Sequence, residues 1–180
     1  MNLRVCVPVP TTVNAIEITG LPVHPLVVHA VVVLLPLSVM LALALAFVPS
    51  WRWLTRWLTL AGTVVGVVSV FIARQSGESF LKGKPFLLEA GSTTREHIMD
   101  HQDYANLLWY ASLVFLVVVV LAFVTLPAPT GLSSGKLDHA GNTATWVVRG
   151  VPLLLAVAGL ATLVLVVLTG DAGARTVWGS

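Results

Sequence analysis

The stretch that decides the fold is residues 104–126, YANLLWYASLVFLVVVVLAFVTL, which contains no charged residue. A helix needs about 20 mostly apolar residues to cross a hydrocarbon core that is about 30 Å thick. A helix also pairs its own backbone N–H and C=O groups, which lipid cannot do. Because the stretch shows no alternation of apolar and polar residues, we predict a transmembrane helix rather than a strand.

Three further stretches meet the same criterion: residues 25–48, 53–73 and 146–169. The chain of 180 residues is 57% hydrophobic and 10% charged, whereas a soluble domain has about 45–50% apolar and about 25% charged residues. The sequence therefore predicts an all-α integral membrane protein, a four-transmembrane-helix bundle that forms one domain over residues 24–178. Residues 1–23 are expected to form an extended or interfacial arm.

The composition also excludes several classes of protein. A net charge of +2 is too small to indicate a polyanionic partner, so we expect no nucleic acid. The single cysteine, Cys6, excludes an internal disulfide framework and any cysteine-based zinc or iron–sulfur site. The expected partner of the apolar surface is the lipid bilayer.

An even number of spans places both termini on the same side of the membrane. This side, called side A, contains residues 1–23, 74–103 and 170–180. The opposite side, called side B, contains the turn near Pro49 and residues 127–145.

The charges of the two sides differ in kind. Seven of the eight acidic residues lie on side A, and Asp138 alone lies on side B. The basic residues of side B, which include Arg52, Arg56 and Arg149, lie directly against the spans, where the positive-inside rule counts them most. We therefore expect side B in the cytoplasm. Side A, with both termini, is expected on the extracytoplasmic face of a bacterial cytoplasmic membrane.

Four of the five histidines lie on side A, at the starts of spans one and three. His24 and His29 are five residues apart and do not share a helical face unless the chain bends at Pro25. His97 and His101 are four residues apart and share one face. Ionisable groups at membrane depth usually face the bundle interior, so His29 and His101 are candidate ligands, or they donate a structural hydrogen bond to a neighbouring span.

Spans two and four are followed by similar segments, RQSGE at residues 74–78 and TGDAGAR at residues 169–175. Glycine just past a helix is a common C-cap, which predicts turns at both places. A carboxylate beside a helix C-terminus is disfavoured by the helix dipole. Glu78 and Asp171 therefore need a nearby cation, which Arg74, Arg175 or a histidine would supply.

These matches indicate a weak internal duplication. Each predicted hairpin begins with histidine and ends with a glycine-flanked acid on side A. A pseudo-twofold axis along the membrane normal would relate the hairpins. It would bring together four side chains at side A: His29, Glu78, His101 and Asp171.

The same motifs resemble a bacterial predicted membrane protein family catalogued as domain of unknown function 2231. Residues 24–29, HPLVVH, followed by LLPL at 34–37, resemble its HPLLVH…LLPL opening. Residues 75–78 resemble its QSGE signature, and residues 101–106, HQDYAN, resemble its H-x-E-x-G-D pattern. Residues 169–178, TGDAGARTVW, resemble its TGHSGAxAVW ending. The resemblance covers the chain from Gly20 to Trp178.

The resemblance implies that His24, His29, Glu78 and His101 are signature polar residues. Asp171 stands where the family often has histidine. A pair of histidine ligands that includes this position is therefore not expected in this chain. Some relatives are fused to a Rieske-type iron–sulfur domain, which favours electron transfer.

Three functions are consistent with the sequence. In the first, His29 and His101 are the axial ligands of haem b, with Arg74 or Arg175 as partners of its propionates. In the second, a zinc, copper or iron ion is bound without porphyrin. Its candidate ligands are His24, His29, His101, Glu78 and Asp171. Either cofactor would serve electron transfer. Such a protein could have a redox protein as a partner and could form a homo-oligomer.

In the third function the protein binds no cofactor. It is then a non-catalytic membrane subunit or anchor whose polar cluster holds the bundle together. The sequence contains no nucleophile–base pair, P-loop or dinucleotide fingerprint, and whether the protein is an enzyme stays open.

Overall fold

The computed structural model describes residues 17–18, 21–82, 92–128 and 145–178. Four long helices account for most of them: α1 Val23–Phe47, α2 Arg52–Lys82, α3 Ser92–Thr125 and α4 Thr145–Trp178. A 3-10 helix, Pro49–Trp51, joins α1 to α2. A short antiparallel pair, β1 Glu17–Ile18 and β2 Leu21–Pro22, precedes α1.

All four helices are long and apolar enough to cross a membrane, which confirms the predicted four-helix membrane bundle. Most of the predicted arm, residues 1–16, lies outside the described residues, and so does most of the loop between α3 and α4 with Lys136, Asp138 and His139.

The helices extend beyond the predicted spans on side A. Helix α2 continues past residue 73 to Lys82, α3 begins at Ser92 rather than at residue 104, and α4 continues past residue 169 to Trp178. Hydropathy marks only the part of a helix that lies in lipid, whereas backbone hydrogen bonds and i,i+4 ion pairs continue the helix into the headgroup region. The turns predicted after spans two and four are therefore wrong.

Each helix packs against two others. Helix α1 packs along α2 and against α4, and α3 packs along α4 and against α2. A larger apolar cluster that contains Val39, Phe115 and Leu155 fills the side-B half of the bundle. A smaller cluster that contains Leu35, Leu108 and Val166 lies toward side A.

Two glycines of α2 bring α1 and α2 close together. A Cβ atom at Gly62 would lie 2.6 Å from Oγ of Ser38, and one at Gly66 would lie 2.7 Å from Cδ2 of Leu35. Small residues at such crossings let helices approach closely in a membrane, where van der Waals packing rather than the hydrophobic effect drives association. The first hairpin is therefore built as a tight unit that fixes the start of α1 against the end of α2.

Candidate functional site

A cavity of about 790 Å³ lies at the side-A end of the bundle, and all four helices line it. Ligand pockets usually enclose about 300–1,000 Å³ and combine apolar walls with a few polar groups. This one, called the side-A cavity, has that character. Its charged or strongly polar lining residues are His24, His29, Arg74, Glu78, His101, Gln102, Asp103 and Asn106.

His24 is fixed at the start of α1 by α2. Its Nδ1 atom lies 3.0 Å from the backbone oxygen of Ala73 and 3.0 Å from Oγ of Ser76. A carbonyl oxygen can only accept a hydrogen bond, so the Nδ1–H group donates to Ala73. The lone pair of the neutral ring is then on Nε2.

His101 is held in the same way within the second hairpin. Its Nδ1 atom lies 3.0 Å from the backbone oxygen of Thr169 on α4. The same tautomer follows, with the proton on Nδ1 and the lone pair on Nε2. Each hairpin thus contributes one imidazole whose ring is oriented by a backbone carbonyl of its second helix.

Two glycines make these contacts sterically feasible. Gly77 lies four residues after Ala73, and Gly173 lies four residues after Thr169. A Cβ atom at Gly77 would lie 3.2 Å from Cε1 of His24, and one at Gly173 would lie 3.0 Å from Cε1 of His101. Both glycines lie inside helices. They provide space for a ring and do not cap a helix as the sequence predicts.

The two half-sites therefore correspond residue by residue. His24, Ala73 and Gly77 of the first hairpin match His101, Thr169 and Gly173 of the second. This duplication has different members from the one predicted, because His24 rather than His29 is the counterpart of His101.

The counterpart of His29 is Asn106, since each follows its half-site histidine by five residues and both line the cavity. Asn106 is a lining residue that the sequence reasoning missed. The equal five-residue spacing was the signal that could have identified it.

The surroundings of His24 favour its neutral form. Burial lowers the pKa of His24 below its ordinary value, the hydrogen bond to Ala73 raises it in part, and the electrostatic interaction with His101 lowers it. A neutral imidazole is the form that coordinates a metal centre.

The charged residues that follow spans two and four form ion pairs within their own helices. Nε of Arg74 lies 3.8 Å from Oε1 of Glu78, and both residues line the side-A cavity. Nη2 of Arg175 lies 2.7 Å from Oδ2 of Asp171, and both of these side chains are more than half exposed. Neither Asp171 nor Arg175 is among the lining residues. The predicted meeting of four side chains therefore includes His29, Glu78 and His101 but not Asp171.

Within the described ranges, no group of three or more histidine, cysteine, aspartate or glutamate side chains is arranged to hold a metal ion. What the fold brings together is a matched pair of imidazoles, with His29, Arg74 and Glu78 around the same cavity. The metal-ligand set taken from the sequence stays a prediction.

The cavity and the four helices lie within one family domain. A family model described as predicted membrane protein (DUF2231) matches residues 20–180. The chain belongs to the DUF2231 family. Neither a curated protein nor a solved structure matches it. The match extends over both half-site histidines and both ring-contacting glycines, so the side-A cavity is part of the DUF2231 domain.

Proposed function

We propose that the side-A cavity binds haem b between the imidazoles of His24 and His101, and that the protein transfers electrons in the membrane. The observation that carries this proposal is the matched pair of hydrogen bonds from Nδ1 to Ala73 and Thr169. A histidine that ligates a metal usually donates its other ring N–H to a carbonyl or carboxylate, which fixes the tautomer and the ring orientation.

The ligand count favours haem over a bare metal ion. A structural or catalytic metal ion needs three or four protein ligands, and the described residues form no such group. Haem iron receives four nitrogen ligands from the porphyrin, so one or two protein side chains complete its coordination. A cavity of about 790 Å³ with mostly apolar walls suits a flat, largely apolar cofactor.

The lining residues fit the remaining groups of such a cofactor. Arg74 lines the cavity and would face a propionate, with Glu78 holding its guanidinium. Arg175 does not fit this role, because it pairs with Asp171 outside the cavity. His29 lines the cavity beside His24, but the half-site match favours His24 as the partner of His101.

When bound, haem b supplies one-electron chemistry at its iron. The protein's own contribution is geometric and electrostatic. The hydrogen bonds from Nδ1 to Ala73 and Thr169 fix the tautomer and the orientation of both rings. Apolar residues such as Ile98 and Leu108 form part of the cavity wall, and the hydrophobic shell around a metal centre tunes its redox potential. Electron exchange with a redox partner would take place at side A, where the cavity lies.

The test is an absorption spectrum of the detergent-purified protein, taken after expression with haem precursor and after haem titration, together with metal analysis. For the wild type we expect a Soret band that corresponds to about one equivalent of bound haem. We expect this band to be lost in His24→Ala and in His101→Ala. His97→Ala is the matched control, because His97 lies one turn before His101 on α3 and does not line the cavity.

Other outcomes contradict the proposal in distinct ways. A protein without a Soret band but with an equivalent of zinc, copper or iron would support the metal site. A protein with neither, in which His24→Ala and His101→Ala only lower the melting temperature, would support the structural alternative of a membrane subunit or anchor.

A further inference from the structure

The end of the bundle opposite the cavity contains an arginine whose environment the haem proposal does not use. Cζ of Arg56 lies 5.6 Å from the ring centroid of Trp57 and 5.3 Å from that of Phe123. The two rings contact each other edge to face, with centroids 4.7 Å apart. Trp57 is on α2 and Phe123 is on α3, so the guanidinium lies where these two helices meet.

The guanidinium of Arg56 lacks an acceptor at one of its donors. Its Nε atom is buried and has no hydrogen-bond partner among the residues that the structure describes. A buried N–H group without a partner is costly, and lipid tails cannot provide one. Aromatic faces stabilise the positive charge, but they do not replace a hydrogen-bond acceptor. Nε is enclosed by the protein, so an oxygen from outside the described residues can approach this guanidinium only at its Nη groups.

The charge at this end of the bundle is not balanced by the described residues. Both of their ion pairs lie at side A. The neighbouring Arg52 donates to the backbone oxygens of Leu45 and Ala46, which are uncharged acceptors. An anionic acceptor for Arg56 is therefore favoured over a neutral one.

The position of Arg56 along α2 indicates where this anion comes from. Arg56 lies four residues after the start of α2, about 6 Å along the helix axis. Trp53 and Trp57 beside it are about half exposed or more, at 51% and 56%. Exposed tryptophans at a helix end mark the level of the lipid headgroups. Asp138, the acidic residue of side B, lies outside the described residues, and the other anionic oxygens at that level belong to phospholipids.

We propose that Arg56, Trp57 and Phe123 form a headgroup site for an anionic phospholipid at side B. The phosphodiester oxygens accept from the terminal Nη groups of Arg56, because Nε is enclosed by the protein, and the acyl chains lie along the exposed apolar faces of α2 and α3. The planar guanidinium offers several donors to one phosphate, which gives the site its preference for this group.

The test is native mass spectrometry of the purified full chain with phosphatidylglycerol or phosphatidylcholine of identical acyl chains. After collisional activation, we expect the fraction of wild-type protein that retains phosphatidylglycerol to be at least fivefold larger than the fraction that retains phosphatidylcholine. Arg56→Gln is expected to remove this preference, and Arg56→Lys to retain only part of it. Arg149→Gln is the matched control, because it removes an exposed arginine at the same membrane face and is expected to retain the preference.

Several results would overturn the proposal. Equal retention of the two lipids by the wild type would remove its basis, whether or not Arg56→Gln folds. An equal loss in Arg149→Gln would indicate general surface charge and no site. Displacement of the lipid by millimolar inorganic phosphate would indicate a site for free phosphate. The haem spectrum is expected to be the same in Arg56→Gln and wild type, so this test is independent of the side-A cavity.

Discussion

Gly173 and His101 lie so close together that a side chain at position 173 would press against the imidazole. A Cβ atom there would lie 3.0 Å from Cε1 and 3.1 Å from Nδ1 of the imidazole. The same relationship, at 3.2 Å, joins Gly77 to Cε1 of His24. The ring of each histidine is thus fixed by a carbonyl and by a glycine one helical turn later.

Replacement of Gly173 by alanine tests this arrangement. The imidazole would have to move by a few tenths of an ångström, which weakens its hydrogen bond to Thr169. Overpacking lowers the free energy of unfolding by about 1–3 kcal/mol, and the better helix propensity of alanine raises it by about 0.5–1 kcal/mol. We expect a net loss of about 1 kcal/mol in a denaturation experiment, together with weaker haem binding by titration.

Gly170 provides the control for that change. It lies three residues earlier on α4, and a Cβ atom there meets nothing within 4 Å. Gly170→Ala is therefore expected to leave stability unchanged or to raise it slightly. If Gly170→Ala and Gly173→Ala have the same effect, the contact with His101 has no structural consequence.

The lowered pKa of His24 predicts a pH dependence of stability. Because the fold lowers the pKa of His24, the unfolded chain binds a proton at this ring before the folded protein does as the pH falls through the ordinary value of 6.5. This contribution to stability is therefore intact above about pH 7 and is lost as the pH decreases through 6.5 toward the folded pKa. We expect melting temperatures to decrease from pH 7.5 to pH 5.

His24→Gln separates this effect from the other titrating groups. His29, His101 and Glu78 line the same cavity and are present in both proteins. The decrease in melting temperature between pH 7.5 and pH 5 should be smaller in His24→Gln than in the wild type. Parallel curves would show that His24 does not contribute to the pH dependence.

The sequence was sufficient for the crossings and for part of the cavity. Four apolar stretches predict four helices, and an even number of crossings returns His29, Glu78 and His101 to one end, where they line the same cavity. The ends of the helices could not be predicted, because hydropathy declines where α2, α3 and α4 leave the lipid and the backbone remains helical.

Asp171 shows why the rest of the site could not be predicted. It lies two residues from both Thr169 and Gly173, and two residues correspond to about 200° around a helix. Thr169 and Gly173 line the cavity, so Asp171 points to the opposite face, where it pairs with Arg175. The histidine pair was also not predictable, because the backbone carbonyls that orient His24 and His101 carry no sequence signal.

Arg52 is predicted to be the most important arginine for stability. Its side chain is 6% exposed and donates from Nε to the oxygen of Leu45 at 2.9 Å and from Nη2 to the oxygen of Ala46 at 3.1 Å. These carbonyls belong to the last turn of α1, which lacks intrahelical donors. A hydrogen bond from a charged donor contributes about 1.5–3 kcal/mol. We therefore expect Arg52→Gln to lose at least about 2 kcal/mol in denaturation experiments.

Two further variants show whether that loss comes from the capping geometry. Arg52→Lys keeps the charge but cannot reach both carbonyls with a planar fork, so it should recover less than half of the loss. Arg149→Gln removes an exposed arginine at the same end and should change stability by less than about 0.5 kcal/mol. Full recovery in Arg52→Lys would assign the effect to charge alone.

The position of the arginines predicts the orientation of the bundle. Arg52, Arg56 and Arg149 lie within the first turns of α2 and α4 at side B, where basic residues are retained in the cytoplasm most strongly. We expect the side-A cavity to face the extracytoplasmic side.

The measurement uses single cysteines in a Cys6→Ser background, at Lys82 on side A and at Ser50 on side B, both of which are exposed. A membrane-impermeant maleimide should label Lys82→Cys in intact cells and Ser50→Cys only after permeabilisation. The reverse pattern would place the cavity in the cytoplasm, and labelling of both in intact cells would contradict a single orientation.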